Sequence, residues 1–96
     1  MNCKYGLSNV AKDYLNTFYS ILNTMIDGMT SAELSDSISH NFIVQMIPHH
    51  KGAIALSQNT LCYDICPELV PILDAIITSQ EKGVKQMERL LHSIGC

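Results

Sequence analysis

Residues 42–61 read FIVQMIPHHKGAIALSQNTL, and this stretch decides the fold class. Apolar residues and two histidines recur along it at spacings of three and four residues, which is the period of an α-helix. They form two neighbouring rows, which are Phe42, Met46, His49, Ala53 and Leu56, and Ile43, Ile47, His50, Ile54 and Leu61. Two rows make a wide face, so we expect a helix over 40–61, capped by Ser39, with neighbours on more than one side.

The same period continues on both sides of this segment. It predicts a first helix over 8–29, with Ser8 as its N-cap, and a third helix over 67–94. Pro67 suits the first position of a helix, and Gly95 suits a C-terminal cap. No strand-like alternation of useful length occurs. Three helices with short connections favour an all-α fold, an up-down-up antiparallel helical bundle that forms one domain over residues 1–96.

The composition fits one small globular domain. Of the 96 residues, 47% are hydrophobic and 16% are charged, which is enough apolar material to form a core. A chain of this length buries too little surface to be robust alone, so a partner chain, a metal ion or disulfides are expected to add stability. The net charge of -3 argues against nucleic acid as a partner. No run of about 18 apolar residues occurs, so we expect no membrane insertion.

The N-terminus and the cysteines bear on the compartment. No apolar run follows Lys4, so no signal peptide is recognised and a cytoplasmic location is expected. A secreted or periplasmic location is the alternative if a leader has been removed. The four cysteines are Cys3, Cys62, Cys66 and Cys96. They allow two disulfides in three connectivities, but a reducing cytosol favours free thiols.

The most informative segment for function runs from Met46 to His50. Met46, His49 and His50 stand at positions i, i+3 and i+4 of the helix, so their side chains can converge. Imidazole nitrogen together with thioether sulfur suits copper, and Cu(I) above all. Pro48 removes a backbone N–H inside the helix and is expected to kink it beside the histidines. We therefore predict a copper site with these three side chains as its core ligands.

Further soft and polar side chains fall at the same end of the predicted bundle. Met25 and Met29 close the first helix and Met87 lies on the third, so their sulfurs are expected to be additional metal ligands. Gln80 occupies a core position on the third helix, where it is expected to orient an imidazole through a hydrogen bond. The alternative is that the methionines only fill the core, that the histidines are hydrogen-bonded core residues, and that Gln80 belongs to a structural polar network.

Sequence patterns that mark common enzymes are missing. Glu-x-x-His, Gly-x-Ser-x-Gly, His-Glu-x-x-His and a phosphate-binding loop occur nowhere in the chain. We therefore expect a binding protein with no catalytic residues, and not an enzyme.

The chain also contains the contiguous run Met46-Ile47-Pro48-His49-His50-Lys51-Gly52-Ala53-Ile54, with Asn41-Phe42 before it and Gln80 and Met87 after it. These residues resemble the family called domain of unknown function 305, and the similarity covers roughly 25–91. The resemblance implies a ferritin-like helical bundle, often secreted or periplasmic, with copper binding and copper tolerance in some members. It also matches Met25, Met29, Met46, His49, His50, Gln80 and Met87 to family positions. Gly83 stands where the family usually has a glutamate.

Two functions follow from these observations. The first is a small metal-binding protein that stores, buffers or confers tolerance to copper as Cu(I) through a His/Met cluster. The second is a metal-independent helical interaction or structural module. In that case the wide apolar face would lead to homo-oligomers, and dimerisation would complete a larger bundle.

Overall fold

The computed structural model describes residues 8–93, and it contains three α-helices and no strand in that range. Helix α1 spans Asn9–Thr30, α2 spans Ile38–Leu61 and α3 spans Leu69–His92. The prediction of an all-α fold is confirmed, and each predicted boundary lies within two residues of the observed one. No helix among these residues has both the length and the apolar character that crossing a membrane requires.

Serine side chains cap the first two helices. Ser8 accepts a hydrogen bond from the backbone N–H of Ala11 at 3.1 Å, so its predicted role as the α1 N-cap is confirmed. The predicted cap of α2, Ser39, is wrong, because this helix begins two residues earlier and is capped by Ser37. The Ser37 hydroxyl accepts from the His40 N–H at 3.1 Å, which satisfies a donor of the first turn.

The third helix is shorter at its start than the sequence predicts. Pro67 precedes α3 instead of opening it, because a turn in which the Val70 N–H donates to the Pro67 carbonyl comes first. Leu69 is then the first helical residue. At the other end the C-cap is Ser93, and the predicted cap Gly95 lies outside the described residues.

The three helices lie side by side with α2 in the middle. Helix α2 packs against both neighbours, whereas no Cα atom in the described part of α1 comes within 8 Å of one in α3. The Cα atoms extend 55 × 27 × 15 Å, and the smallest extent is close to the thickness of a single layer of helices. The expectation that α2 has neighbours on more than one side is confirmed. The arrangement is an antiparallel layer and not a closed triangle.

Small residues set the close contact between α1 and α2. A Cβ added to Gly28 would lie 2.7 Å from the Cβ of Pro48. A Cβ added to Gly52 would lie 2.5 Å from the sulfur of Met25 and 2.9 Å from its Cβ. Glycine at both positions therefore lets the two helices approach, and Pro48 lies on the α1 side of a helix that continues through it.

Hydrogen bonds join the N-terminal part of α1 to the C-terminal end of α2. The Tyr14 hydroxyl lies 3.2 Å from the Thr60 hydroxyl, and the Asn59 side-chain amide donates to the Tyr14 carbonyl at 3.3 Å. Tyr63, just after α2, donates its hydroxyl hydrogen to the carboxylate of Asp13. This hydrogen bond stabilises the neutral phenol, and with smaller effects of burial and nearby charge it raises the pKa of Tyr63 to about 12.

The buried core is small and lies along the middle and third helices. Ile43, Leu73 and Val84 are the buried hydrophobic side chains among the described residues, and α1 contributes none. Many large apolar side chains are instead exposed, namely Val10, Tyr19, Ile26, Leu34, Ile38, Phe42, Val70, Ile72 and Leu90. A single layer has no second layer against which to bury its apolar side.

The two sides of the layer differ in charge. Helix α2 has one charged side chain, Lys51, whose ammonium group lies 3.9 Å from the Glu88 carboxylate of α3. We call this side the charged face. Phe42 precedes Lys51 by nine residues, which is two and a half turns, so it points to the opposite side. There, Phe42, Met87 and Leu90 line a groove, and we call this side the open face.

Candidate metal site

The imidazole of His50 lies between α2 and α3. A Cβ added to Gly83 of α3 would lie 3.1 Å from the ring Cδ2 of His50 and 3.5 Å from its Nε2. The absence of a side chain at Gly83 therefore gives the half-buried ring its place in the helix interface. The family resemblance places a glutamate at position 83. A glutamate side chain there would compete with the His50 ring for space.

One ring nitrogen of His50 is held by the backbone. Its Nδ1 lies 2.9 Å from the carbonyl oxygen of Met46, one turn earlier in α2. A carbonyl oxygen can only accept, so Nδ1 carries the proton. In the neutral ring the lone pair then belongs to Nε2, and a backbone carbonyl is a usual partner for the non-coordinating nitrogen of a histidine that binds metal.

A groove connects His50 with a methionine of α3. His50, Gly83, Met87 and Leu90 line an open groove of about 670 Å³, together with Gln86, Arg89 and Ser93. The helices are antiparallel, so moving four residues back on α2 and four forward on α3 from the His50–Gly83 pair brings Met46 opposite Met87. Three predicted ligands, Met46, His50 and Met87, therefore belong to one interface.

His49 lies beside this groove and not inside it. It is exposed, and it follows Phe42 by seven residues, so it lies on the open face. The centroids of the His49 and His50 rings are 5.9 Å apart, and the rings are inclined at 62°. A bond between metal and imidazole nitrogen is about 2 Å long, so two rings at this separation can reach a common ion.

Met25 is placed away from the histidines. Its sulfur packs against Gly52, in the contact between α1 and α2. Gly52 follows His50 by two residues, or roughly 200° around the helix, so Met25 and the His50 ring lie on opposite sides of α2. The observed contact corresponds to core packing, the alternative role considered for the methionines.

Met29 lies nearer to the open face. Thr24 and Lys51 line a groove on the charged side of the α1–α2 contact. Met29 follows Thr24 by five residues, which is roughly 140° around α1, so it projects away from that groove. It therefore shares the open face with His49, although it belongs to the neighbouring helix.

Gln80 is buried at one atom without a partner. Its side-chain oxygen Oε1 is shielded from solvent and accepts no hydrogen bond within the described residues. The orienting hydrogen bond of His50 comes instead from the Met46 carbonyl. Sequence reasoning missed this contact, and it also missed the role of Gly83. The signal for Gly83 was a glycine in the middle of an otherwise regular helix. The contact of His50 with the carbonyl had no signal in the sequence, because every residue past the first turn of a helix stands four residues after a helical carbonyl.

The donor chemistry of the site is soft. Among residues 8–93, no three side chains of His, Cys, Asp or Glu gather at one place. The candidate site therefore combines two imidazoles with thioether sulfurs. Cys62 and Cys66 are free and exposed near the other end of α2, while Cys3 and Cys96 lie outside the described residues.

Over residues 8–93 the chain forms three helices, with imidazole and thioether groups along one helix interface. A family model with the description "Domain of unknown function (DUF305)" matches residues 19–91. The chain belongs to this family, and the family resemblance seen in the sequence is confirmed. The matched range contains every residue of the predicted site. No curated protein matches the chain.

Proposed function

We propose that this protein binds Cu(I) in the groove between α2 and α3 and serves copper storage, buffering or tolerance without catalysing a reaction. The observation that carries the proposal is the hydrogen bond that fixes the orientation and the tautomer of the His50 imidazole. Its Nδ1 is bonded to the Met46 carbonyl, which leaves the Nε2 lone pair available beside a groove that Met87 also lines. This nitrogen is prepared for coordination without the loss of any existing hydrogen bond.

Copper in its reduced state suits this set of donors best. Thioether sulfur is a soft ligand that needs no deprotonation, and it prefers Cu(I) to hard cations such as Mg²⁺ and Ca²⁺. The proposed core ligands are Met46, His49 and His50, and Met87 supplies a further sulfur from α3. Because His49 is exposed, its ring can turn toward an ion in the groove at low cost.

The remaining predicted groups differ in how readily they can join. Met29 shares the open face with His49, but it belongs to α1, which makes no contact with α3 within the described residues. Met25 has to move its sulfur away from Gly52 before it can contribute. Gln80 offers a buried oxygen with no partner, which can accept a hydrogen bond when the site is filled.

Competition between the protein and a chromophoric Cu(I) chelator tests the proposal. The reduced wild type is expected to withdraw copper from the chelator. The His49→Ala/His50→Ala variant is expected to lose at least about tenfold in affinity, equivalent to about 1.4 kcal/mol. Met46→Leu and Met87→Leu are expected to weaken binding by smaller factors, because each leaves both imidazoles in place.

Matched controls separate the site from general effects on the protein. His92→Ala removes an exposed imidazole at the end of α3, and Met25→Leu removes a sulfur that packs against Gly52. Both are expected to bind Cu(I) like the wild type within about a factor of three. If the wild type retains no copper, or if the double histidine variant retains as much as the wild type, the proposed site does not exist.

The second candidate is a metal-independent module that assembles into a larger, ferritin-like bundle. The open face favours this second candidate, because its exposed apolar side chains would be buried if another layer of helices packed on them. Light scattering and unfolding measurements with and without copper distinguish it from the first candidate. Under the second candidate the oligomer forms equally in both conditions, and copper does not raise the stability.

A further inference from the structure

We propose that a second copy of this chain covers the open face and closes the donor groove, so that dimerisation and Cu(I) binding strengthen each other. The inference rests on the proposed function for its metal, and on the layered fold for its partner.

The open face is strongly apolar along its centre. Ile38 is 85% exposed, Phe42 is 59% exposed and Leu90 is 51% exposed. Phe42 and Leu90 line the same groove, so these side chains form one continuous patch across α2 and α3. Contiguous apolar surface of this kind on a small domain marks an interaction site more often than chance exposure does.

Both outer helices extend this patch. On α3, Ile72 is 55% exposed and precedes Leu90 by eighteen residues, which is five full turns, so both lie on the same side. On α1, Ile26 is 45% exposed. Leu22, Ile26 and Met29 stand at positions i, i+4 and i+7, so they lie on one side of the helix, and Met29 places that side on the open face. The apolar surface therefore spans all three helices.

The area of this face matches what a stable dimer needs. Helices α2 and α3 have 24 residues each, so each is about 36 Å long. The layer is 27 Å wide. One face of it covers on the order of 1,000 Å², compared with about 800 Å² buried per partner in a typical stable complex.

Charge favours a second copy as the occupant. In a twofold dimer each surface meets itself, so like charges on the interface would repel. The charged side chains of α2 and its contact with α3, Lys51 and Glu88, lie on the charged face. Along α2 the open face presents apolar groups, a glutamine and the imidazole of His49, so this helix brings no Asp, Glu, Lys or Arg side chain to the interface.

The donor groove opens onto the same face. Met87 and Leu90 line both the groove that contains His50 and the groove that contains Phe42, so the two grooves are neighbours. A second copy over Phe42 therefore also shields the His50 groove from water and brings the His49 of each chain to the seam. Copper binds more tightly in the shielded groove, and because coupling is reciprocal, bound copper tightens the dimer by the same factor.

The experiment compares Phe42→Asp with Val70→Asp. Phe42 lies on the open face but does not line the His50 groove. Val70 precedes Glu88 by five full turns and so lies on the charged face, where it is 37% exposed. Both side chains are exposed, so neither change is expected to unfold the helices, and circular dichroism verifies this. Sedimentation and the Cu(I) chelator competition are then measured for the wild type and both variants.

The expected results are a wild-type dimer whose dissociation constant falls about tenfold with Cu(I), and a Val70→Asp variant that behaves identically. Phe42→Asp is expected to be monomeric and to bind Cu(I) about tenfold more weakly. A wild type that is monomeric with and without copper, or a Phe42→Asp variant that dimerises normally, overturns the proposed interface. A monomeric Phe42→Asp variant with wild-type copper affinity overturns the coupling but leaves the copper site intact. If the wild type binds no copper, the proposed function fails, while the two variants still decide whether the open face forms the dimer.

Discussion

Met46 holds His50 through its backbone and not through its side chain: the imidazole Nδ1 lies 2.9 Å from the Met46 carbonyl oxygen. The orientation of the ring is therefore independent of the side chain at position 46. A change of Met46 alters the sulfur available to a metal but leaves the imidazole where it is. This separation makes the contributions of the two residues measurable one at a time.

The first prediction concerns the tautomer of His50. Its neutral ring is expected to carry the proton on Nδ1, because the carbonyl of Met46 can only accept a hydrogen bond. Nitrogen–proton correlation NMR of the imidazole rings distinguishes the two tautomers. The exposed ring of His92 serves as the reference, and a His50 ring protonated mainly on Nε2 would contradict the prediction.

The second prediction is that Gly83→Ala weakens copper binding without unfolding the protein. The new Cβ would lie 3.1 Å from the Cδ2 of His50, so the ring has to shift by a few tenths of an ångström. The variant is expected to lose about tenfold in Cu(I) affinity, while alanine offsets the strain by up to about 1 kcal/mol of helix propensity. Ser79→Ala, an exposed change one turn away on α3, is the control. Equal copper affinity in Gly83→Ala and the wild type would show that the ring does not bind metal from this position.

The third prediction is that Gly52→Ala destabilises the contact between α1 and α2. The added Cβ would lie 2.5 Å from the Met25 sulfur and 2.9 Å from its Cβ, so rotation of the side chain alone cannot relieve the overlap. The free energy of unfolding is expected to fall by about 1–3 kcal/mol in denaturant titrations. The double variant Gly52→Ala/Met25→Ala is expected to lose less than the sum of the two single changes. Strict additivity would mean that these residues are not in contact.

The fourth prediction concerns the buried oxygen of Gln80. Gln80→Met removes an acceptor that has no partner, so the metal-free protein is expected to gain about 1–2 kcal/mol of stability. In the proposed copper-bound state the Gln80 oxygen accepts a hydrogen bond that it lacks in the metal-free protein, so the variant should bind Cu(I) several-fold more weakly. Thermal unfolding with and without copper measures both effects, and a loss of stability in the metal-free variant would contradict the first.

The fifth prediction is a pH dependence at alkaline pH. The pKa of Tyr63 is raised from its ordinary value of 10.0 to about 12 by its hydrogen bond to Asp13. The folded state therefore favours the neutral phenol. The stabilisation is fully present below pH 10 and is lost as the pH rises through about 12. Tyrosinate absorbance of the wild type is expected to show a late titration that is missing in Tyr63→Phe and that moves to lower pH in Asp13→Asn. Identical titration curves for the wild type and Asp13→Asn would contradict the assignment.

The local sequence pattern was sufficient for the helices themselves. Apolar residues at spacings of three and four placed all three helices to within two residues, and Ser8 was recognised as a cap. The error at the start of α2 arose because Ser37 and Ser39 are chemically equivalent as caps. The choice between them depends on the turn before the helix, where the Asn41 side chain bonds the backbone of Ser35.

The sequence predicted that the candidate metal ligands gather at one end of the bundle, but not which of them share one helix interface. The position of a residue along a helix fixes its height and its direction around the axis, so Met46, His49 and His50 followed from spacing alone. Whether Met25 reaches them depends on the side of α2 against which α1 packs. The structure places the Met25 sulfur on Gly52 and the His50 ring on Gly83, on opposite sides of the same helix.

The sequence by itself determined three helices, their order and the family, because these depend on local periodicity and a contiguous motif. Only the tertiary structure decided that the helices form an open layer with α2 in the centre. The reason is that a sequence shows how wide an apolar face is but not which neighbour covers it. Helix α2 packs against α1 along one edge and against α3 along the other. Its third side, which carries Phe42 and His49, has no partner within the described chain.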